Sequence, residues 1–375
     1  QMAQSGGIKL ILEPDSVSEA TRCKLSGFAY IHQDGGDFVL ESPLSVHKLV
    51  FLDKKPVDMV YELVKGGSIV ELAERIPDWE ASTVRGLVEV LASCRFVSTQ
   101  NDHVSPDEDE PPLAIWEFHD LLFQARSRAG RHRKPSGGTY RFQDEIPPLP
   151  LVKPPASEEM IPLEEPDLDT LEQEDVPFSA VLEDRMSVRE FSEDPITAEE
   201  LGHLLFRTAR IKYVQKDDKT GDVGFRPSPG GGAIHELEIY PLVQRCEGLA
   251  PGLYHYRQQE HQLERLSGMA PELQSMVHYA AGAMGKLEDR DRLQVLLLIT
   301  SRFPRLAWKY QSMAYSVTLK NVGCLYQTFY LVATAMNLAP SAIGSGDSEL
   351  FAKATGIDYY SEPLIGEFVI GRPRE

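Results

Sequence analysis

A stretch rich in proline and acid divides this chain. Between Pro106 and Pro177 lie 12 of its 26 prolines, with acidic runs at Asp107-Glu108-Asp109-Glu110 and across Glu158 to Asp175. Proline fixes φ and removes an amide donor, so such a stretch cannot supply helix interiors or central strands. Pro147-Pro148-Leu149-Pro150 is expected to run extended. The apolar residues between the prolines point to an arm laid along a folded surface rather than a free linker. Within it, Trp116 to Phe123 predicts a short amphipathic helix with Phe118, Leu121 and Leu122 on one face. A length of 375 residues also exceeds what one hydrophobic core usually organises. The expected organisation is a small unit over 1–105, a connecting arm over 106–177 and a compact α+β domain over 178–375.

Charge and cysteine content narrow the functional classes. The chain carries 38 Lys and Arg against 57 Asp and Glu, a formal charge of −19, which repels a phosphate backbone. Nucleic acid is therefore not an expected partner. Cys23, Cys94, Cys246 and Cys324 are far apart, with no C-x-x-C pair and no zinc spacing, which argues against a disulfide scaffold or a metal and fits a reducing cytoplasm. Cys324 falls in an apolar helical run and is expected to be a buried small hydrophobe. Gln1 ahead of Met2 reads as an added residue, and no basic segment followed by an apolar stretch marks a secretion signal. The longest apolar region, Met313 to Leu338, is broken by Lys320, Asn321 and Gln327, so it predicts a buried helix rather than a membrane span.

The first hundred residues read as a separate module. Gly27 to His32 and Phe38 to Leu40 flank Asp34-Gly35-Gly36, a hairpin signal. Pro56 opens a helix to about Val64, Ser68-Ile69-Val70-Glu71 is a capping-box start, and Ala81 to Cys94 gives a third helix before a strand at Arg95-Phe96-Val97. This order is winged-helix-like. The third helix offers a nucleic acid only Arg85, beside Glu80 and Glu89, which leaves a packing or dimerisation module, or peptide capture by strand addition.

From Val181 the pattern predicts strands at Leu237–Val243, Gly252–Tyr256, Leu293–Thr300 and Leu364–Ile370. It predicts helices at Ala198–Thr208, Pro271–Lys286, Gln311–Leu338 and Glu349–Thr355. Three segments carry chemistry. Arg185, Ser187 and Arg189 alternate, so in an extended segment they point the same way and form a fork for a phosphate monoester, unless they merely pair with Glu183 or Asp184. Pro227-Ser228-Pro229-Gly230-Gly231-Gly232 lacks bulk and lets its backbone approach a flat ligand, although it is neither a Walker A loop nor a dinucleotide fingerprint. Ala339 to Ser345 either offers backbone groups to a cofactor or simply ends the preceding helix.

Arg185-x-Ser187-x-Arg189-x-Phe191, Pro229-Gly230-Gly231-Gly232-Ala233 before Leu237 to Tyr240, Pro251-Gly252-Leu253-Tyr254-His255-Tyr256, Lys309-Tyr310 and Ile370-Gly371-Arg372-Pro373 together resemble the nitroreductase superfamily. More narrowly they resemble its SagB-type azoline dehydrogenases, including the cyanobactin oxidases. The resemblance covers about 178–374, and Trp116 to Arg126 with Gly137-Gly138-Thr139-Tyr140 resembles the N-terminal region of the longer members. It implies an FMN-binding α+β domain and a homodimer with FMN at the interface. Arg185, Ser187 and Arg189 would hold the phosphate beside Met186, with Arg372 joining them. Pro229, Gly230 and Gly231 would line the isoalloxazine, and Ile343-Gly344 would approach it from another side. The family commonly has Pro-Ser-Gly-Gly where this chain has Gly230 in the serine slot, which leaves Ser228 as the substitute.

Lys309-Tyr310 is the feature that separates azoline oxidases from other nitroreductases. Aromatising a thiazoline or oxazoline removes a proton from Cα and a hydride from the ring CH₂. A tyrosine, with an ordinary pKa of about 10, is a weak base, and a nearby ammonium favours its phenolate. Tyr310 is thus expected to be the general base, with Lys309 tuning it or orienting the substrate. Neighbours on a helix point about 100° apart, so the pair should stand at a helix start or bend. The substrate would be an azoline-containing precursor peptide whose leader the N-terminal module captures, with a heterocyclase or other biosynthetic enzymes as partners. The alternatives are an NAD(P)H-dependent nitroreductase acting on small molecules and a non-catalytic peptide-binding partner.

Overall fold

The computed structural model describes residues 17–99, 108–217 and 219–374; Gln1, Met2, Asp107 and the expected boundary at 105/106 lie outside them. The chain divides into two compact units, Gln1–Ser136 and Gly137–Glu375, so the proline-rich stretch belongs to both.

The first unit runs β1 (Arg22–Leu25), β2 (Tyr30–Asp34), β3 (Asp37–Glu41), β4 (Leu49–Phe51), α1 (Lys55–Lys65), β5 (Gly67–Ser68), α2 (Ile69–Arg75), α3 (Ala81–Ser93), β6 (Val97–Thr99) and α4 (Phe118–Ser127). Two antiparallel three-stranded sheets form, in the orders β5-β1-β6 and β2-β3-β4. The hairpin closes on Gly35-Gly36, where Gly35 takes φ 67°. Ser68 and Glu71 cap α2 reciprocally. The last strand starts two residues later than expected because Arg95, at φ 59°, turns the chain as α3 ends. Met59, Leu63, Ile69, Leu72, Val84 and Phe96 form a fully buried core. Glu41, also buried, accepts from the Tyr30 hydroxyl at 2.7 Å and lies 3.5 Å from Arg126, which ties α4 to the hairpin. Arg85 is ion-paired with Glu89.

The second unit contains β7 (Gly137–Gly138), β8 (Met160–Pro162), α5 (Leu168–Glu174), α6 (Phe178–Asp184), α7 (Ala198–Ala209), β9 (Tyr213–Gln215), β10 (Val223–Phe225), β11 (Leu237–Val243), β12 (Gly252–Arg257), β13 (Gln262–Gly268), α8 (Pro271–Ala283), β14 (Val295–Ser301), α9 (Phe303–Lys309), β15 (Tyr310–Gln311), α10 (Ala314–Ala335), β16 (Ala339–Ile343), α11 (Ser348–Thr355) and β17 (Leu364–Gly371). Seven strands form an antiparallel sheet in the order β16-β17-β14-β11-β12-β13-β8. Its central strands are apolar on both faces because both are covered. Val295, Leu297 and Ile299 face the core under α7 and α10, whereas Leu296 and Leu298 face the core under α8 and α11.

Several expectations change. Ala339–Ile343 is an edge strand rather than a loop. Gln311 belongs to a short strand, so the long helix starts at Ala314. Residues Gln262–Gly268 form a strand that their polar alternation conceals. Cys324 is exposed on the outer face of α10 and not buried; all four cysteines are free. No helix among the described residues is long and apolar enough to cross a membrane.

From Gly137 the chain crosses the second unit as a strap. Its prolines lack amides, and its carbonyls are taken by side chains: Ile146 by Trp308 Nε1 at 2.5 Å, Leu149 by Arg305, Leu151 by Arg302 at 3.2 Å and Lys153 by Arg257 at 2.6 Å. The strap then joins the sheet as β8.

Candidate active site

Lys309 is the last residue of α9, and Tyr310 leaves the helix with φ −100° and ψ 135°. The break answers the orientation problem: a helix end, not a helix start, lets consecutive side chains converge. Tyr310 and Gln311 then pair with Gly138 and Gly137 of the strap. Lys309 Nζ stands 5.5 Å from the Tyr310 ring centroid and 5.6 Å from that of Tyr140.

The glycine-rich loop meets this pair. Gly231 starts a tight turn and Gly232 takes φ 63°. A Cβ on Gly232 would stand 2.6 Å from the Tyr310 hydroxyl and 3.0 Å from Lys309 Nζ, and one on Gly231 would stand 2.3 Å from Val317 Cγ1. Only glycine fits at either position. Asn321 of α10 pins the loop: its Oδ1 accepts from Gly231 N at 2.9 Å while its Nδ2 donates to Glu236 at 2.9 Å. Pro229 and Gly230 border a small cavity with Arg226 and the buried Ser228 and His235.

Below the loop lies a buried charge network that the sequence reading passed over. Burial works against the charge on Glu238, yet the bond from His255 and the guanidiniums of Arg302 and Arg226 hold its pKa down at about 2. His255 bridges Glu238 at 3.0 Å and Glu264 at 3.1 Å; burial opposes its charge, but the two carboxylates win and raise its pKa. His235 is pushed down to about 3 by burial and by Arg226 and Arg305, so it stays neutral under Gly230. The only signal in the sequence was acid at Glu236 and Glu238 entering an otherwise apolar strand.

Arg185, Ser187 and Arg189 lie on an extended segment beside β16, fixed by the bond from Val188 N to Pro340 O at 2.9 Å. Ser187 Oγ is 2.8 Å from the Tyr330 hydroxyl, which accepts from Ala342 N at 2.8 Å, and the Arg185 guanidinium lies 5.3 Å from the Tyr330 ring centroid. Among the described residues no carboxylate is within ion-pair distance of Arg185 or Arg189, so the alternative, pairing with Glu183 or Asp184, does not occur. Met186 is exposed. Ile343 is buried and Gly344 opens to free space. Arg372 departs from the expectation: its guanidinium donates to Glu200 at 2.8 Å and to Pro195 O, so it is committed away from a phosphate fork. Two unpaired guanidiniums beside a hydroxyl, with a glycine loop that admits no Cβ, fit a flat phosphorylated cofactor.

The comparisons agree with this architecture. The family model described as "Nitroreductase family" matches residues 182–372, and the chain belongs to that family, whose members bind flavin. A second model, "Cyanobactin oxidase ThcOx", matches residues 23–133. The protein named "Putative nitroreductase MJ1384" from Methanocaldococcus jannaschii is 29% identical over 180 residues, 48% of this chain and 82% of that one. Trifolitoxin-processing protein TfxB of Rhizobium leguminosarum bv. trifolii is 24% identical over 155 residues, 41% of either chain. Microcin B17-processing protein McbC of Escherichia coli is 27% identical over 148 residues, 38% of this chain and 53% of that one. The match thus spans about half the length, or less, of the two peptide-processing relatives.

Proposed function

We propose that this protein is an FMN-dependent oxidase that converts thiazolines or oxazolines in a ribosomally made precursor peptide into thiazoles or oxazoles. The observation that carries the reading is the meeting of Lys309, Tyr310 and the Gly232 turn at a helix end. Arg185, Ser187 and Arg189 would hold the FMN phosphate with Met186 beside them, Pro229, Gly230 and Gly231 would line its ring, and Ile343-Gly344 would border it. The chemistry that FMN supplies when bound is acceptance of the hydride, with oxygen as final electron acceptor. Tyr310 takes the proton from the azoline Cα, with Lys309 beside it tuning the tyrosine or orienting the substrate. The loop excludes bulk from the space facing both groups.

Likeness to two peptide-processing proteins and to the cyanobactin oxidase model supports a peptide substrate. In this reading the first unit captures the leader by strand addition to one of its short sheets, and heterocyclases or other biosynthetic enzymes act on the same peptide. Tyr315, Leu319, Gly323 and Gln327 form an exposed i, i+4 stripe along α10, which supports a homodimer. The test is mass spectrometry of a thiazoline peptide incubated aerobically with FMN-loaded protein and no NAD(P)H. A loss of about 2 Da per ring, two hydrogens, is the expected result. Failure of that loss, with NAD(P)H reducing the flavin, would favour the small-molecule nitroreductase reading that the likeness to MJ1384 supports.

A further inference from the structure

Lys309 is an ammonium without an acid. In a chain of net charge −19, no carboxylate among the described residues lies within ion-pair distance of its Nζ. Two aromatic rings take that place, those of Tyr310 and Tyr140. The face of an aromatic ring attracts a cation through its quadrupole without neutralising it. A carboxylate in the same position would neutralise the charge that stands beside Tyr310.

The strap builds this seat with several independent contacts. Tyr140 N donates to the carbonyl of Lys309 at 3.2 Å, so backbone and ring of one residue grip the same lysine. The Tyr140 ring packs edge-on against Trp308 at 5.8 Å, and Trp308 is itself buried and bonded to the strap at Ile146. Tyr140 holds φ 51°, a left-handed conformation uncommon for a bulky residue, which persists only where the surroundings enforce it. Thr139 Oγ1 donates to Gln311 at 3.1 Å, closing the far side. The lysine stem passes over Gly138, where a Cβ would lie 3.9 Å from Lys309 Cε.

We propose that Tyr140 is the positioning residue for Lys309: its ring, together with that of Tyr310, seats the ammonium against the Gly232 turn. The proposal rests on the reading of Lys309 and Tyr310 as the pair that works on the azoline. Tyr140 touches neither substrate nor cofactor in this role and acts through Lys309.

The experiment replaces Tyr140 with Phe, with mono-, di- and trifluorinated phenylalanines, and with Leu. The fluorinated series keeps shape and packing while draining the ring face of negative potential, so it remains readable if Tyr140→Leu fails to fold. Two quantities are measured: kcat and KM for thiazoline oxidation, and acetylation of Lys309 by acetic anhydride relative to the exposed Lys54, read by mass spectrometry. Tyr140→Phe should keep kcat within about 3-fold. Each fluorine should lower it, toward about 5- to 30-fold at Tyr140→Leu with KM little changed. Lys309 labelling should rise in the same order. Flat labelling and kcat across the fluorinated series would overturn the proposal, as would a loss in Tyr140→Phe equal to that in Tyr140→Leu, which would assign the role to the hydroxyl. If the unsubstituted protein does not oxidise azolines, the labelling series still decides: a rise keeps the seat and sinks only the parent reading, and a flat series sinks the seat.

Discussion

Gly232 leaves no room for a side chain beside the Tyr310 hydroxyl. Adding one methyl at Gly232 meets the Tyr310 hydroxyl and forces an L residue into φ 63°. Gly232→Ala is therefore expected to cost about 1–3 kcal/mol in stability and to displace the tyrosine, so azoline oxidation should fall more than flavin content. Chemical denaturation and absorbance of bound flavin measure the two separately. Tyr310→Phe removes only the oxygen. It should leave fold and flavin binding intact and lower kcat on thiazolines by about 100-fold or more, the usual worth of a positioned general base. Steady-state turnover checks this, and an unchanged kcat would remove Tyr310 as the base.

At the level of elements, the strap and the end of α9 form one device. Arg305 reaches three carbonyls from three segments, those of Ile234, Leu149 and Asp222. Its burial, together with Arg302 and Arg226, lowers its pKa to about 10, which still leaves it charged at neutral pH. Lysine cannot reproduce this fork. Arg305→Lys should destabilise by about 3 kcal/mol and expose the strap to proteases between Tyr140 and Ala156, seen as early cleavage on a gel. One strand in from the sheet edge lies a second device. Glu367 on β17 is buried with one carboxylate oxygen unbonded, and burial pushes its pKa up to about 7, only partly offset by the amide of Asp347. A carboxyl raised in the folded state favours folding below the unfolded value of about 4.3, and that contribution is lost as pH rises through about 7. Glu367→Gln should accordingly raise stability by about 2–3 kcal/mol at pH 8 and change it little at pH 4. Denaturation midpoints at the two pH values are the measurement.

For the whole molecule, the division at Ser136/Gly137 separates the unit matched by the cyanobactin oxidase model from the unit that holds the candidate site. Cutting there should leave flavin binding and turnover of short azoline peptides nearly unchanged. The KM for a full precursor should rise by about 10-fold or more, the order expected when a tethered second contact is lost. Equal losses on short and full-length peptides would count against leader capture.

Sequence pattern alone determined the frame. Leu293 to Thr300 reads as a strand from its apolar run where Val295–Ser301 forms one, α7 starts at Ala198 as expected, behind a capping box of Thr197 and Glu200, and Arg185, Ser187 and Arg189 alternate along a segment that is extended. These are local facts, set by period and by residues a few positions apart. The site is not local. Tyr140, Gly232, Lys309 and Tyr310 meet because a strap, a loop and the end of a helix cross at one place, and no spacing along the chain encodes that crossing. The same holds for Arg372, which the resemblance places with Arg185 and Arg189 and the fold commits to Glu200. Arg302, Arg305 and Trp308 carry no signal in the sequence, because a buried cation or indole is legible only once its distant carbonyl partner is in place.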